Sequence, residues 1–316
     1  MLGRAVIPPP PPGPQASKLF SSAGHAILRT GEEKGLAAAF TFGPYGGFHG
    51  HLDKLSFVLF GYGRELGVDP GRAKSQAYRL PIHTRWYKAT LGHNAVLVDG
   101  QSQKPATGKL ESFVANGSYA AVVARCDDAY PGVHHRRLLC LAPDYLLVFD
   151  DLAAEAPRRF DWVYHNRGPE AQCDAAGTRE PIDEPTPGWE YVQNVRYGRS
   201  DGPVRVRFPD GPVTTHLLIA PGAGTEVRTG DGVGESLLDR VGLVRVTRHG
   251  QRAQFAAVLE PVKARAPSIV SLRSEPARDG VRLTVRRGDA VDDITLTRSG
   301  EVTVSARGQT VLTSKQ

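Results

Sequence analysis

Short runs in which apolar and polar residues alternate recur from Ala26 almost to the C-terminus, separated by turns rich in glycine, proline and aspartate. Successive side chains of an extended strand point to opposite faces, so this period of two predicts half-buried β-strands. The first lie over 26–29, 37–42 and 55–60. A turn at Gly61-Tyr62-Gly63-Arg64 leads to a return through Leu66 and Val68 that closes at Asp69-Pro70-Gly71. Residues 72–91 break the alternation. Their mixture of Tyr78, Pro81, His83, Trp86 and Tyr87 predicts a loop packed over a sheet. Strands resume at 95–98 before an Asp99-Gly100 turn, then at 119–125, 137–141, 145–149 and 160–164. The Pro-, Glu-, Asp- and Gly-rich stretch 168–188 predicts a long exposed insertion and a soft subdivision. Beyond it the pattern returns at 204–208, 214–219, 242–246, 254–258, 269–272, 281–285, 293–297 and 302–305.

So many short strands in antiparallel spacing need stacked sheets to cover their apolar faces. The expected fold is all-β: a large antiparallel β-sandwich of two stacked sheets, with room for a smaller C-terminal β subdomain. No fixed repeat supports a propeller or solenoid. The 316 residues and 40% apolar content suffice for a full core. Residues 1–22 are expected to be a disordered Pro-rich segment, whose five consecutive prolines, Pro8 to Pro12, form a polyproline II spacer and not the apolar core of a signal peptide. The domain expected to fold is 23–316. No apolar stretch is long enough to span a bilayer, so no membrane partner is expected.

The net charge of +6, from 39 basic and 33 acidic residues, is spread without a long block of one sign. The pairs Arg136-Arg137, Arg158-Arg159 and Arg286-Arg287 read as solvated faces. Without a basic motif interleaved with aromatics, nucleic acid is not the expected partner, whereas an anionic substrate suits the charge. Cys126, Cys140 and Cys173 are too few and too irregular for a disulfide framework. On a hairpin turning near Pro131-Gly132, the first two have different offsets and do not face each other.

The chemistry is concentrated in residues 43–57, Gly43-Pro44-Tyr45-Gly46-Gly47-Phe48-His49-Gly50-His51-Leu52-Asp53-Lys54-Leu55-Ser56-Phe57. Glycines allow close backbone approach, and histidines spaced i, i+2 project from one side of an extended segment. His51, Asp69 and His93 stand at the ends of three successive strand candidates, where they either converge on a metal or remain hydrogen-bonded histidines of a polar cleft. Asp53 is either an acceptor that orients a histidine or a strand-start residue. Trp86 and Tyr87 offer a stacking platform and a phenol for proton transfer, or a loop anchor. Asn94 binds substrate or caps its loop. His165, followed by Asn166 at a strand end, is a second-rank site candidate. His83, His134, His135 and His216 read as structural or exposed.

Taken in order, the 43–57 segment, Asp69-Pro70-Gly71, His83-Thr84-Arg85-Trp86-Tyr87 and Leu91-Gly92-His93-Asn94-Ala95-Val96-Leu97-Val98-Asp99-Gly100-Gln101-Ser102-Gln103 resemble the heparinase II/III-like family of polysaccharide lyases. The match covers about residues 23–165. The resemblance implies an α/α toroid followed by an antiparallel β-sandwich, with the active site between them. This chain enters almost directly at the sandwich, so the toroid is expected to be missing or carried by a separate chain.

Such lyases cleave uronate-containing polysaccharides, heparan sulfate or alginate among them, by β-elimination. The resemblance implies His49 as the catalytic histidine of the sandwich side, Tyr87 as a second catalytic residue of the cleft, and Zn2+ held by His51, Asp69 and His93. Asn94, Trp86 and His165 become the substrate-binding candidates. It further implies a periplasmic or secreted setting, although residues 1–22 carry no signal peptide, and an isolated chain that binds zinc yet is a feeble lyase. Two other readings compete. One is a noncatalytic carbohydrate-binding sandwich stapled by zinc. The other is a cupin-like metal enzyme, disfavoured because no glutamate follows His51 at the usual distance.

Overall fold

The structure is a computed structural model that describes residues 16–32, 35–72, 78–179 and 185–314. The polyproline run and part of the 168–188 stretch lie outside these residues. Among the described residues the elements are strands joined by turns and single-turn helices, as the period-two pattern requires. The chain opens with β1 (Lys18–Phe20), β2 (His25–Arg29), β3 (Ala37–Thr41), β4 (Phe57–Gly61), β5 (Arg64–Gly67) and β6 (Val96–Val98). A meander of β7 (Lys109–Ala115), β8 (Ala120–Cys126) and β9 (Val133–Leu141) leads into β10 (Leu146–Asn166), which is 21 residues long. Then come β11 (Gln172–Cys173), β12 (Thr178–Arg179), β13 (Gln193–Ser200), β14 (Val204–Asp210), β15 (Val213–Ile219) and β16 (Thr225–Val233). The 24-residue β17 (Arg240–Lys263) precedes a last group: β18 (Ile269–Ala277), β19 (Gly280–Arg287), β20 (Ala290–Thr297), β21 (Val302–Ala306) and β22 (Gln309–Thr313).

Strands β10 and β17 pair antiparallel along their length and pass through both layers of the sandwich. The first half of β10 pairs with β9 and the last part of β17 with β15, giving one layer, β7-β8-β9-β10-β17-β15-β14. The second half of β10 pairs with β6 and the first half of β17 with β16, giving the other layer, flanked by β1 to β5 on one side and by β13 on the other. The change of layer falls at a register shift between Ala153 and Arg158. Pro157 lies inside that shift, where its missing N–H breaks no ladder. The sequence pattern divides β10 and β17 into two strands each; the structure joins them through this bulge.

Between the layers lies the main core, built from Phe40, Leu59, Val122, Leu139, Val148, Trp162, Tyr164, Val246 and Phe255 among others. The alternate residues of the first layer, including Ala121, Val123, Leu138, Leu147 and Phe149, face a separate five-stranded antiparallel sheet, β18 to β22. This is the C-terminal β subdomain expected from the sequence. A layer buried on both faces explains why β8 reads as an uninterrupted apolar run and not as an alternation.

The expected subdivision at 168–188 is not a boundary. Strands before it and after it share the same layers, β10 with β17 above all, so the separation runs instead between β17 and β18. Cys126 and Cys140 face His135 and Ala121 across the β8–β9 hairpin, and all three cysteines are free. The Asp99-Gly100 turn forms as expected, with positive φ at both residues (54° and 69°) and Gln101 N–H donating to Val98 O at 3.0 Å.

Candidate metal centre and active-site face

The outer face of the second layer carries the motif residues. Val163 and Leu243 project to this side, opposite the core-facing Trp162 and Tyr164, and are covered by Ile82, Trp86, Tyr87, Leu91 and Trp189. All of this cover but Trp189 comes from the loop expected over 72–91, of which 73–77 lie outside the described residues. It includes a π-turn, His83–Tyr87, and a 3-10 turn, Thr90–Gly92, which delivers His93. Gly92 is required there: a Cβ would stand 2.4 Å from Trp86 O.

His49 ends a 3-10 turn, Gly47–His49, and is exposed. The chain then straightens at Gly50, whose α-carbon packs so closely on Tyr45 that a Cβ would lie 2.8 Å from the ring. His51 follows, half-buried. Beyond it the segment is strapped to the 88–103 loop: Leu52 N–H donates to Lys88 O at 2.9 Å and Thr90 Oγ1 to Leu52 O at 2.6 Å. Buried Gln103 completes the strap, accepting from Lys54 N–H at 2.7 Å and donating to Lys54 O at 2.9 Å.

His51, Asp69 and His93 converge, each offering a ligand atom within 4.8 Å of the other two. His93 is fully buried, and its Nδ1 bonds Asp69 Oδ2 at 2.6 Å while its Nε2 has no hydrogen-bond partner. Burial raises the Asp69 pKa, but His93, the Gly71 N–H at 2.7 Å and His51 outweigh it and bring it down to about 2. His51 is lowered to about 4, first by burial and then by the neighbouring His93 charge. Burial disfavours the charged form of His93 as well, yet the Asp69 carboxylate raises its pKa on balance. The set fits a divalent borderline-soft cation: two imidazoles and an ionised carboxylate, with a buried nitrogen otherwise left without a partner. A cation held there would require both imidazoles to be neutral and the Asp69 carboxyl to be ionised. No hydrogen bond joins Asp53 to these histidines among the described residues; its carboxylate bonds Lys54 Nζ at 3.1 Å and acts on His51 and His93 through its charge.

Four sequence candidates are buried, and Trp86 and Asn94 take the loop-anchoring and loop-capping alternatives to their substrate-binding readings. Trp86 is 0% exposed and its Nε1 donates to Val233 O at 2.8 Å, so it is a core anchor and offers no face to a sugar. Tyr87 is 1% exposed, and after burial the charges acting on its phenol are Asp239 and Arg240, none of them a histidine of the site. Asn94 is fully buried with its amide committed: it donates to Phe57 O at 2.8 Å and Val68 O at 3.0 Å and accepts from His165 N–H at 2.7 Å. It clamps the three segments that carry His51, Asp69 and His93. His165 is buried, packed edge-on against Trp86, and its pKa is held down to about 3 by burial and then by His93. A ligand at the surface reaches none of these four. His49 and the half-exposed rim of His51 and Asp69 remain, together with Phe48, which is 87% exposed and has Lys88 Nζ 5.5 Å from its ring centroid.

A buried cluster unmarked by the motifs supports the same segments. Arg137 and Asp150, each 0% exposed, stand directly opposite on β9 and β10 and pair through Nε at 2.7 Å and Nη2 at 3.0 Å. The Asp150 carboxylate also takes His135 Nε2 at 2.6 Å and Trp162 Nε1 at 3.0 Å. Arg137 Nη1 then reaches Asn94 O at 2.7 Å and Leu55 O, fixing Leu55 in a left-handed conformation (φ 64°) between His51 and β4. Arg137 is therefore no solvated charge. The available signal was its row: it alternates in step with Leu139 and Leu141, which face the core.

The heparinase II/III-like, C-terminal family profile matches residues 12–242. Among curated proteins, the chain is similar to an alginate lyase of Stenotrophomonas maltophilia, 31% identical over 170 residues, covering 46% of this chain and 22% of that protein. It is also similar to an exo-oligoalginate lyase of Saccharophagus degradans, 32% identical over 141 residues, with 38% and 19% covered. The chain thus matches about a fifth of the length of these relatives. Among solved structures, the heparan sulfate lyase HepC from Pedobacter heparinus superposes with a TM-score of 0.63 at 19% identity, over 95% of this chain and 42% of that one. The strand layers, the motif-bearing face and the profile spanning both agree: this chain belongs to the heparinase II/III-like, C-terminal family.

Proposed function

We propose that this chain forms the sandwich wall of a lyase site for uronate-containing polysaccharides, with His49 facing the sugar and His51, Asp69 and His93 holding zinc beside it. One observation carries the reading. Three ligand-type side chains from three separate segments meet within 4.8 Å of one another, two residues from an exposed histidine. The names of both curated relatives make alginate the first substrate to test, ahead of heparan sulfate.

β-Elimination needs the uronate carboxylate neutralised, the adjacent proton removed and the departing glycosidic oxygen protonated. An imidazole at position 49 serves the first or second of these. Bound zinc supplies a fixed positive charge and holds its three segments together. Tyr87, the second catalytic candidate of the sequence, is in the core. The reading therefore assigns the remaining acid or base to a second wall, an α/α toroid.

The test measures zinc by mass spectrometry and unsaturated product by ultraviolet absorbance on the purified chain. The expected result is zinc bound by the wild type and lost in His51→Ala, with little or no product formed from oligoalginate by the chain alone. A sustained rise in absorbance that His49→Ala abolishes overturns the need for a second wall. Absence of zinc from a chain supplied with it overturns the metal assignment. Oligoalginate binding without turnover that His49→Ala leaves intact, even with a toroid supplied, overturns the lyase reading in favour of a carbohydrate-binding sandwich.

A further inference from the structure

We infer that the seam between the first sandwich layer and the five-stranded sheet is a second, noncatalytic binding groove for an acidic oligosaccharide, remote from the metal centre. The choice of glycan rests on the polyuronate reading above; the groove itself stands on its own geometry. It encloses about 610 Å³ and is lined by Arg136, Arg248, Arg252 and Arg298, with Asp151 as its one acidic residue. That volume holds a short chain of sugars and greatly exceeds a single ion.

The four guanidiniums differ in what they already hold. Arg136 is paired with Glu111 and donates to Thr297 O at 3.0 Å. Arg248 is pinned to neutral oxygens, donating to Thr225 Oγ1 at 3.1 Å, Ala220 O at 2.7 Å and Gln254 O; burial brings its pKa down to about 10, which leaves it a cation near neutral pH. Arg252 and Arg298 are exposed and make no ion pair among the described residues. Asp151 is occupied by Gln254 Nε2 at 3.1 Å. Three positive charges without a carboxylate partner thus surround one concavity. Planar guanidinium forks match carboxylates spaced along a polyuronate, and Gln254 and Thr297 offer polar partners for hydroxyls.

Single-stranded nucleic acid would want exposed aromatic faces for its bases. Phe149 of the lining is 1% exposed, and His249, near Glu226, is the lone exposed aromatic ring there, so the groove is dominated by charge and not by a row of stacking faces. Its place also separates it from the metal centre. Asp151 and His165 are both on β10, 14 residues apart, on the order of 40 Å of strand, and they serve opposite outer faces of the sandwich. A chain engaged here would be retained while another stretch of polymer occupies the catalytic face, raising its effective concentration.

The experiment is titration calorimetry of the full chain with short oligoalginate, a neutral glucan oligosaccharide of equal length and a short single-stranded DNA. The double variant Arg252→Ala/Arg298→Ala is compared with wild type and with His49→Ala. Both arginines are exposed and free of ion pairs, so circular dichroism and zinc content should not change. The proposal expects oligoalginate to bind at low salt, the double variant to weaken it about tenfold or more, and His49→Ala to leave that binding in place. The neutral sugar should not bind at this groove. Binding indifferent to the arginine pair, or none at all, overturns the groove without touching the lyase reading, which is judged on zinc and product formation. DNA binding as tight as oligoalginate, and equally lost in the double variant, overturns the glycan assignment.

Discussion

At the scale of single residues, a metal centre and a hydrogen-bonded histidine cluster respond differently to the same substitution. His51 is half-buried at the rim, so His51→Ala opens no large cavity. In chelator-treated protein it should change unfolding free energy by no more than about 0.5 kcal/mol. Zinc at a hundred times its dissociation constant should then stabilise the wild type by about 2.7 kcal/mol and the variant not at all. Denaturant titrations with and without zinc test this; equal zinc stabilisation of both proteins would refute the ligand assignment. Trp86 gives the converse case. With its indole fully buried and bonded to Val233 O, Trp86→Ala should cost about 3–5 kcal/mol, whereas removing an exposed sugar platform costs little stability. A denaturation midpoint unchanged in that variant would restore the stacking-platform alternative for Trp86.

At the scale of elements, the site depends on a cross-strand pair beneath it. Arg137 on β9 faces Asp150 on β10, and the guanidinium ties down both Leu55 and Asn94. Asp150→Asn leaves the buried guanidinium without its counter-charge and should destabilise the chain by about 3–5 kcal/mol. The pH dependence has a definite sign. Burial pushes the Asp150 pKa up, but Arg137 and then His135 outweigh it and hold it below the usual carboxylate value. A depressed carboxylate contributes stability that is fully present above its unfolded pKa, near 4, and lost as pH falls through the folded value. Wild type should therefore lose stability below about pH 4 more steeply than Asp150→Asn, as read from unfolding midpoints across acid pH. Parallel acid profiles would show that the pair does not supply this dependence. Such a pair is hard to see in sequence, because Arg136-Arg137 and Asp150-Asp151 look like ordinary surface charges. Only the strand phase set by Leu139 and Val148 turns one member of each inward. The strands at 26–29, 204–208 and 281–285 were legible because each has one face buried and one wetter, and His51, Asp69 and His93 stood out by residue type in the loops that border β4, β5 and β6. The continuity of β10 and β17 was not, since Pro157 and its polar neighbours read as a strand end when no partner strand is known.

At the scale of the whole molecule, the first sandwich layer cannot stand as an outer surface. Leu138, Cys140, Leu147, Phe149 and Val258 are all buried, and they face the five-stranded sheet. A chain ending at Lys263 keeps the candidate metal ligands and every strand of both layers but uncovers this apolar face. Contiguous exposed apolar area of that kind drives association. The shortened chain should aggregate or bind a hydrophobic dye strongly, even though β18 to β22 supply no ligand to the motif face. If it instead remains monomeric with dye binding at the wild-type level, the five-stranded sheet is an independent appendage. The seam would then be a loose contact rather than a core, and the arginine groove formed along it would have no fixed shape. Rigid docking of this sheet is thus a shared requirement: the core of the first layer needs it for cover, and the groove needs it for the wall that carries Arg298.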